Sequence, residues 1–190
     1  MKYIFKTVTA SDEKYGILQS LTKLDMPLDQ EVIVYACSEC YEAIPNSYNV
    51  RTHASQKGRI DHLSKLYHLI ELKAGDVVQV SYEGVTVLVF KVLIKTIQKA
   101  EEKNKMLTGL GKLGITPASV EFDFEENSLF DKNCNDDSQC YFSEEKPYLV
   151  DGICGLDEFY QKTGLHAGDR IAMKYCHDIF KLQIYPYTGK

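Results

Sequence analysis

The sequence predicts an α+β protein made of two small β-barrel-like subdomains with short helices, arranged as a tandem duplication. Two observations lead to this prediction. The chain has 190 residues, enough for two subdomains of about 90 residues each. One phrase also occurs twice, as ELKAGDVVQVSYEG at 71–84 and as GLHAGDRIAMKYCH at 164–177. With 44% hydrophobic residues, 13 Tyr and 8 Phe, the chain has the composition of a protein with a packed core.

The repeated phrase extends upstream into a predicted helix. Aligning residue 63 with residue 156, a shift of 93, gives seven identities over the 20 positions 63–82, where chance gives about one. The identical positions in the first copy are Leu63, Tyr67, Leu72, Ala74, Gly75, Asp76 and Tyr82. In each copy a helix ends, Gly permits an unusual backbone angle, and Asp bonds to nearby backbone in the turn. We therefore expect Asp76 and Asp169 to be structural residues.

Hydrophobic periodicity and turn residues predict the elements of the first half. Ser11 is the expected N-cap of the first helix, and Gly84 is expected in the turn of a hairpin. The predicted elements are a strand at 3–8, a helix at 11–24, a strand at 31–38, a polar loop at 44–60, a helix at 61–70, and strands at 77–82 and 83–94.

The second half is predicted to repeat this order after a linker. The segment TGLGKLGITP has three Gly and a Pro, so 108–117 is the expected linker between a first subdomain at 1–107 and a second at 118–190. The elements predicted around it are a charged connecting helix at 95–107, a strand at 118–124, an acidic turn-rich segment at 125–147, a helix at 155–164 and a last strand at 179–187.

A helix followed by L-x-x-GD, an alternating strand and a returning strand resembles the closing segment of the DNA-binding pseudobarrel. That family includes plant B3 domains and effector domains of restriction endonucleases. The resemblance covers roughly residues 31–92 and, more weakly, 118–185. It implies that arms before the helix enter the major groove, and here the matching stretch is NSYNVRTHASQKGR. The DNA-binding residues that the resemblance implies are Asn46, Asn49, Arg51, His53, Gln56, Lys57 and Arg59.

The chemistry of this polar loop suits double-stranded DNA. Arg51 and Arg59 are expected to pair with guanine, and Asn49 or Gln56 with adenine. Lys57 suits a phosphate, as does the imidazole of His53. RNA or a protein remains an alternative ligand for this loop. The leading prediction is a DNA-binding protein that is not an enzyme and takes no cofactor.

The second half predicts a different role. Residues 106–190 hold 8 Lys and Arg against 14 Asp and Glu, whereas residues 1–105 hold 14 against 13. Such an acidic half repels phosphates, so it is not expected to grip DNA. It instead suggests an alternative function, a phage-type anti-defence protein (anti-restriction or anti-CRISPR) that captures a basic protein partner.

Two further chemistries were considered. CSEC at 37–40 has the spacing of zinc ligands, with other Cys residues as possible partners. The second is a restriction nuclease, or its targeting subunit, in which Glu144 and Lys146 act with upstream acids on Mg²⁺. Those acids are Asp131, Asp136 and Asp137. A convincing strand is not evident at 144–147, and the sequence therefore favours neither chemistry.

A cytoplasmic protein without membrane contact is expected. The N-terminal segment lacks the apolar run of a signal peptide, and the longest apolar run, VTVLVF at 85–90, is too short to span a bilayer. Six Cys without an export signal favour free thiols in a reducing compartment.

Overall fold

A computed structural model describes residues 2–27, 31–37, 47–51, 57–113, 115, 119–125, 141–149, 151–176 and 181–187. The protein is a mixed α+β structure, mostly strands of an open sheet with a few short helices. It divides into two compact units, Met1–Val92 (unit 1) and Leu93–Lys190 (unit 2). Among the described residues, no helix has the length and hydropathy needed to cross a membrane.

Unit 1 is built on a five-stranded arrangement among its described residues. Its elements are β1 (Lys2–Thr7), α1 (Ala10–Tyr15), β2 (Glu31–Cys37), β3 (Ser47–Arg51), α2 (Ser64–Leu69), β4 (Val77–Glu83) and β5 (Thr86–Thr96), whose last four residues belong to unit 2. The strands lie in the order β3-β2-β5-β4-β1, and β2 and β5 are parallel while the other pairs are antiparallel. Strand alternation and the apolar face of α2 fill one core, which includes Leu18, Leu66 and Val80.

Unit 2 begins with the end of β5. Its further elements are α3 (Lys99–Asn104), β6 (Leu107–Thr108), β7 (Ser119–Glu125), β8 (Tyr141–Leu149), β9 (Gly152–Ile153), α4 (Asp157–Thr163), β10 (Arg170–Cys176) and β11 (Lys181–Pro186). The strands lie in the order β5-β10-β11-β7-β8-β9-β6, with β11 and β7 parallel. Edge-to-face contacts centre its core on Phe159, whose ring centroid lies 5.2 Å from that of Phe122 and 5.1 Å from that of Phe124.

Several predicted elements are confirmed. The hairpin turns at Gly84, which has a φ of 61°. The predicted face of α2 is buried, with Leu63, Leu66, Tyr67 and Ile70 each at most 6% exposed. Gly164 ends α4 in the left-handed conformation, as expected for a C-cap glycine.

The first helix is shorter than predicted and starts two residues before Ser11. Thr9 is the N-cap: its hydroxyl accepts a hydrogen bond from the Asp12 amide at 3.1 Å, and the Asp12 carboxylate accepts one from the Thr9 amide at 2.9 Å. This reciprocal capping box fixes the start of α1. Gly16, with a φ of 59°, ends the helix at Tyr15, so the predicted helix over 11–24 is wrong beyond that residue.

The boundary between the units also differs from the predicted linker at 108–117. Leu107 and Leu110 are completely buried in the core of unit 2, and the units divide inside β5. Because β5 continues to Thr96, the predicted helix over 95–107 is reduced to Lys99–Asn104. Strands β3 and β8 likewise occupy parts of the predicted loop at 44–60 and of the predicted turn-rich segment at 125–147.

The same backbone turn closes each unit. In unit 1, the Asp76 carboxylate accepts a hydrogen bond from the Lys73 amide at 2.8 Å, and in unit 2 the Asp169 carboxylate accepts one from the His166 amide at 2.7 Å. The turn is tied to the first helix of its unit by a Glu, because Glu13 and Glu102 each accept from the following alanine amide at 2.8 Å. Asp76 and Asp169 are therefore structural, as expected.

Each unit also has one buried tyrosine that ties its second helix to the segment after its first. The Tyr67 hydroxyl donates to the Ile17 carbonyl at 2.6 Å, and the Tyr160 hydroxyl donates to the Met106 carbonyl at 2.9 Å. Burial, followed by nearby carboxylates, raises the pKa of both hydroxyls far above the ordinary value. Both tyrosines therefore remain neutral hydrogen-bond donors.

We expect Tyr67→Phe to destabilise unit 1, and Tyr160→Phe to destabilise unit 2, each by about 1–2 kcal/mol, because a buried carbonyl loses its donor. Amide hydrogen exchange read by mass spectrometry resolves the two units within the full chain. Faster exchange is expected in the substituted unit. Tyr15→Phe, at an exposed position, is the control. Unchanged exchange in both variants would mean that the two hydrogen bonds contribute no net stability.

Candidate nucleic-acid interface

The structure places two of the predicted DNA contacts on a strand. Asn49 and Arg51 lie on β3, where they pair with Ile33 and Glu31 of β2. Lys57 is exposed, and Arg59 is half-buried. The predicted contacts Asn46, His53 and Gln56, and the side chains of Asn49 and Arg51, lie outside the described residues.

The turn that carries Lys57 is fixed against the segment after α1. Gly58 has a φ of 74°, and its carbonyl accepts a hydrogen bond from the Leu21 amide at 2.8 Å. A Cβ at Gly58 would lie 2.4 Å from the Thr22 nitrogen, so glycine allows this close approach. The turn is thereby held beside a 3₁₀ turn at Thr22–Leu24. This places Lys57 and Lys23 on neighbouring backbone segments.

Arg59 has a partner within the same turn. Its Nε donates to Asp61 Oδ1 at 2.6 Å, and the two side chains are 23% and 12% exposed. A short charge-assisted bond in a partly buried setting holds the guanidinium and compensates its charge. The geometry therefore supports a structural role for Arg59 in the turn and gives the expected guanine contact no support.

A set of exposed cationic or titratable side chains surrounds this turn, and we call it the basic rim: Lys23, Lys57, His62 and Lys65. Lys65 lies in the first turn of α2, and His62 precedes the helix with a φ of 61°. The nearby Asp61 is engaged by Arg59, whereas Asp25, after the 3₁₀ turn, is an exposed carboxylate. The rim thus presents three lysines and a histidine on adjoining segments of unit 1.

The equivalent surface of unit 2 has a different charge. Asp151 corresponds to Gly58, because it has a φ of 75° and its carbonyl accepts from the Leu110 amide at 3.3 Å. Shifting by 93 residues therefore pairs Lys57 with Val150 and Lys65 with Glu158. The other matched pairs are Arg59 with Gly152, His62 with Gly155, and Ser64 with Asp157. A cationic surface in unit 1 is matched by a neutral-to-acidic one in unit 2.

A cleft of about 610 Å³ lies beside the rim, between α1 and α2. Its lining includes Lys14, Ser64, His68 and the carboxylates of Glu13 and Glu71. Tyr15 follows Lys14 and is 61% exposed. Lys23, His62, Lys65 and Tyr15 were not selected from the sequence. The signal that identifies them is the bridge between Leu18 and Ile60, which brings segments 40 residues apart together.

The alternative chemistries gain no support from the described residues. Within that part of the chain, no cluster of His, Cys, Asp and Glu has the geometry of a metal site. Cys154 is a half-buried free thiol, and the CSEC side chains lie outside the described residues. Glu144 and Lys146 do lie on a strand, β8, but Lys146 is only 9% exposed. Asp131, Asp136 and Asp137 fall outside the description, so the nuclease remains a prediction.

Comparison with known proteins leaves the geometry as the basis for any functional conclusion. No family model matches the chain, and no curated protein or solved structure matches it.

Proposed function

We propose that unit 1 binds double-stranded DNA through the basic rim and catalyses no reaction on it. The observation that carries this proposal is the exposed cluster of Lys23, Lys57 and Lys65, which unit 2 replaces in part by neutral and acidic residues. A change of charge at matched positions favours a specific role for the cations over a merely soluble surface. Lysine side chains release counterions when they neutralise phosphates, and this provides the binding free energy.

The arrangement of elements suggests how sequence is read. β3, which carries Asn49 and Arg51, leads into the segment that ends at the rim. Phosphate contacts by the rim would fix the orientation, and Asn49 and Arg51 would then contact base edges. Arg59 would support the turn through Asp61 and leave phosphate binding to Lys57.

We further propose that the two units are diverged copies of one B3-like pseudobarrel. Both contain the same order of paired strands, with one parallel pair flanked by antiparallel ones. Both use the same Glu, Asp and Tyr hydrogen bonds. The match shifts by 89 residues from Glu13 to Glu102 and by 93 residues from Ala74 to Ala167, so unit 2 is four residues longer between these points.

The double variant Lys57→Glu/Lys65→Glu tests DNA binding. We expect fluorescence anisotropy with a random duplex at low salt to show at least about a 10-fold loss of affinity, because two phosphate contacts become repulsive. For an Ala pair at the same positions, the slope of log affinity against log salt should fall by about 0.9 per contact.

The matched control is Lys103→Glu/Lys112→Glu, which changes the same charge at exposed positions of unit 2. This control should retain most of the duplex affinity. Equal losses in the two pairs would reduce the effect to net charge and overturn the assignment to the rim. Absence of duplex binding by the unmodified chain at low salt would overturn DNA binding itself.

One observation favours the alternative, capture of a basic protein partner by unit 2. Asp151, Asp157 and Glu158 are exposed where unit 1 has a glycine, a serine and a lysine. In that case Asp157→Lys/Glu158→Lys would abolish the capture, whereas the Lys57→Glu/Lys65→Glu variant would leave it intact. The opposite pattern would favour DNA binding by unit 1.

A further inference from the structure

Tyr15 is an exposed aromatic side chain that the core of unit 1 does not use. It is the last residue of α1, and 61% of it is exposed. Lys14 Nζ lies 5.2 Å from the centre of its ring, a cation–π distance. One edge of the helix therefore presents an aromatic ring together with a positive charge.

The backbone places this ring next to the basic rim. Gly16 accepts a hydrogen bond from the Leu63 amide at 2.7 Å. A Cβ at Gly16 would lie 2.3 Å from Ser64 Oγ, so the end of α1 is pressed against the start of α2. Tyr15 precedes Gly16, and Lys65 follows Ser64. The aromatic ring and the rim lysine thus extend from two segments in direct contact.

The cleft beside this ring has room for one nucleotide. Its volume of about 610 Å³ lies within the range of about 300–1,000 Å³ for small-molecule sites. Lys14, Ser64 and His68 line the cleft. The Glu13 carboxylate in the lining is bonded to the Ala74 amide, while Glu71 is exposed and disfavours a phosphate at its end. A phosphate is therefore favoured on the side of Lys14 and the rim.

Unit 2 lacks the aromatic ring and most of the cations around it. The shift of 89 residues pairs Tyr15 with Asn104, and the shift of 93 pairs Lys65 with Glu158 and His68 with Gln161. The loss of these features from one unit supports their belonging to one site in the other. An exposed aromatic beside cations is the arrangement on which unpaired bases stack in proteins that bind single strands.

We infer that Tyr15 stacks on an unpaired base of DNA whose phosphates are held by the basic rim. This inference rests on the proposed function of the rim and adds a substrate preference to it. DNA with a flipped, bulged or single-stranded nucleotide should bind more tightly than a fully paired duplex.

The chain contains no Trp, so Tyr15→Trp introduces a single fluorophore at the site. Stacking on single-stranded oligothymidylate should quench its fluorescence and saturate with the binding curve. Asn104→Trp, at the matched position of unit 2, should show no such quenching. Quenching that is absent at Tyr15→Trp, or equal in the two variants, would overturn the inference.

A second measurement uses duplexes with and without one unpaired thymidine. The bulged duplex should bind about 10-fold more tightly, and this preference should disappear in Tyr15→Ala and persist in Tyr15→Phe. If Tyr15→Ala keeps the preference while Lys57→Glu/Lys65→Glu loses affinity, the stacking role is wrong and DNA binding by the rim stands. If fluorescence of Tyr15→Trp instead changes with protein concentration alone, a second copy of the chain covers the ring and the inference is overturned.

Discussion

Replacing Asp12 by alanine should destabilise unit 1 by about 3–5 kcal/mol, because it leaves a buried lysine without its counter-charge. Asp12 is 0% exposed and Lys6 is 9% exposed, and Lys6 Nζ lies 2.9 Å from Asp12 Oδ2. The same carboxylate oxygen accepts from the amide and hydroxyl of Thr9 at 2.9 Å and 2.7 Å. The substitution therefore removes the ion pair and the capping box of α1 together.

Urea denaturation of the full chain, followed by hydrogen exchange in peptides of unit 1, measures this loss. Thr9→Ala is the matched control, since it weakens the cap and keeps the ion pair, and should cost about 1 kcal/mol. The double variant Lys6→Met/Asp12→Leu should be more stable than Asp12→Ala, because no unpaired charge remains. A loss no larger than that of Thr9→Ala would show that the ion pair is not required.

Unit 2 has a corresponding ion pair with a more complete set of hydrogen bonds. Lys95 Nζ lies 2.7 Å from Glu101 Oε1, which also accepts from the amide and the hydroxyl of Thr108 at 2.7 Å each. Glu101 Oε2 accepts from the Gln98 amide at 2.8 Å. In unit 1, Asp12 Oδ1 has no partner among the described residues. Glu101→Ala should therefore destabilise unit 2 at least as much as Asp12→Ala destabilises unit 1.

The two carboxylates also set the response to acid. Burial alone raises the pKa of Asp12 and of Glu101, but the hydrogen bonds from Lys6 and Thr9, and from Lys95, Gln98 and Thr108, outweigh it and hold both values below the ordinary ones. The stabilisation is complete above the unfolded-state pKa of about 4 and is lost as the pH falls through the lower folded-state values. Both units should remain folded at mildly acidic pH and lose stability below about pH 4.

Local sequence signals predicted the elements that depend on them. The phrase around Gly75 and Asp76, the hairpin turn at Gly84 and the apolar face of α2 all follow from spacing within a few residues. Elements that depend on distant partners were not predicted. β3 exists because it pairs with β2, and Leu107 and Leu110 are buried because unit 2 packs around them, although the surrounding Gly-rich segment is typical of a linker.

The candidate site was predicted in part for the same reason. Lys57 was identified from local charge, but the role of its neighbour Arg59 depends on Asp61, which the sequence treated only as the end of a basic loop. The contribution of Lys23 and Tyr15 depends on contacts of the segment after α1 with residues 58–64. Pairings across 40 or more residues leave no periodic pattern, so charge alone located the site without its full membership.

Gly58→Ala should destabilise unit 1 by about 3–4 kcal/mol and also weaken DNA binding. About 1 kcal/mol of this comes from a left-handed backbone carrying a Cβ, and the rest from overpacking. The added carbon would lie 2.4 Å from the Thr22 nitrogen and 2.7 Å from the Leu21 carbonyl carbon. Because these are backbone atoms, the turn must move away and lengthen its bond to the Leu21 amide.

Gly84→Ala separates strain from overpacking. Gly84 has a φ of 61°, close to the 74° of Gly58, but a Cβ there meets no atom within 4 Å. Its cost should be about 1 kcal/mol, from backbone strain alone. Comparing the two in urea denaturation gives the free energy of the close contact between the turn and residues 21–22. If both variants lose the same stability, the contact is not tight in solution. If Gly58→Ala is destabilised yet keeps full duplex affinity under conditions where it is folded, Lys57 does not need this turn to reach a phosphate.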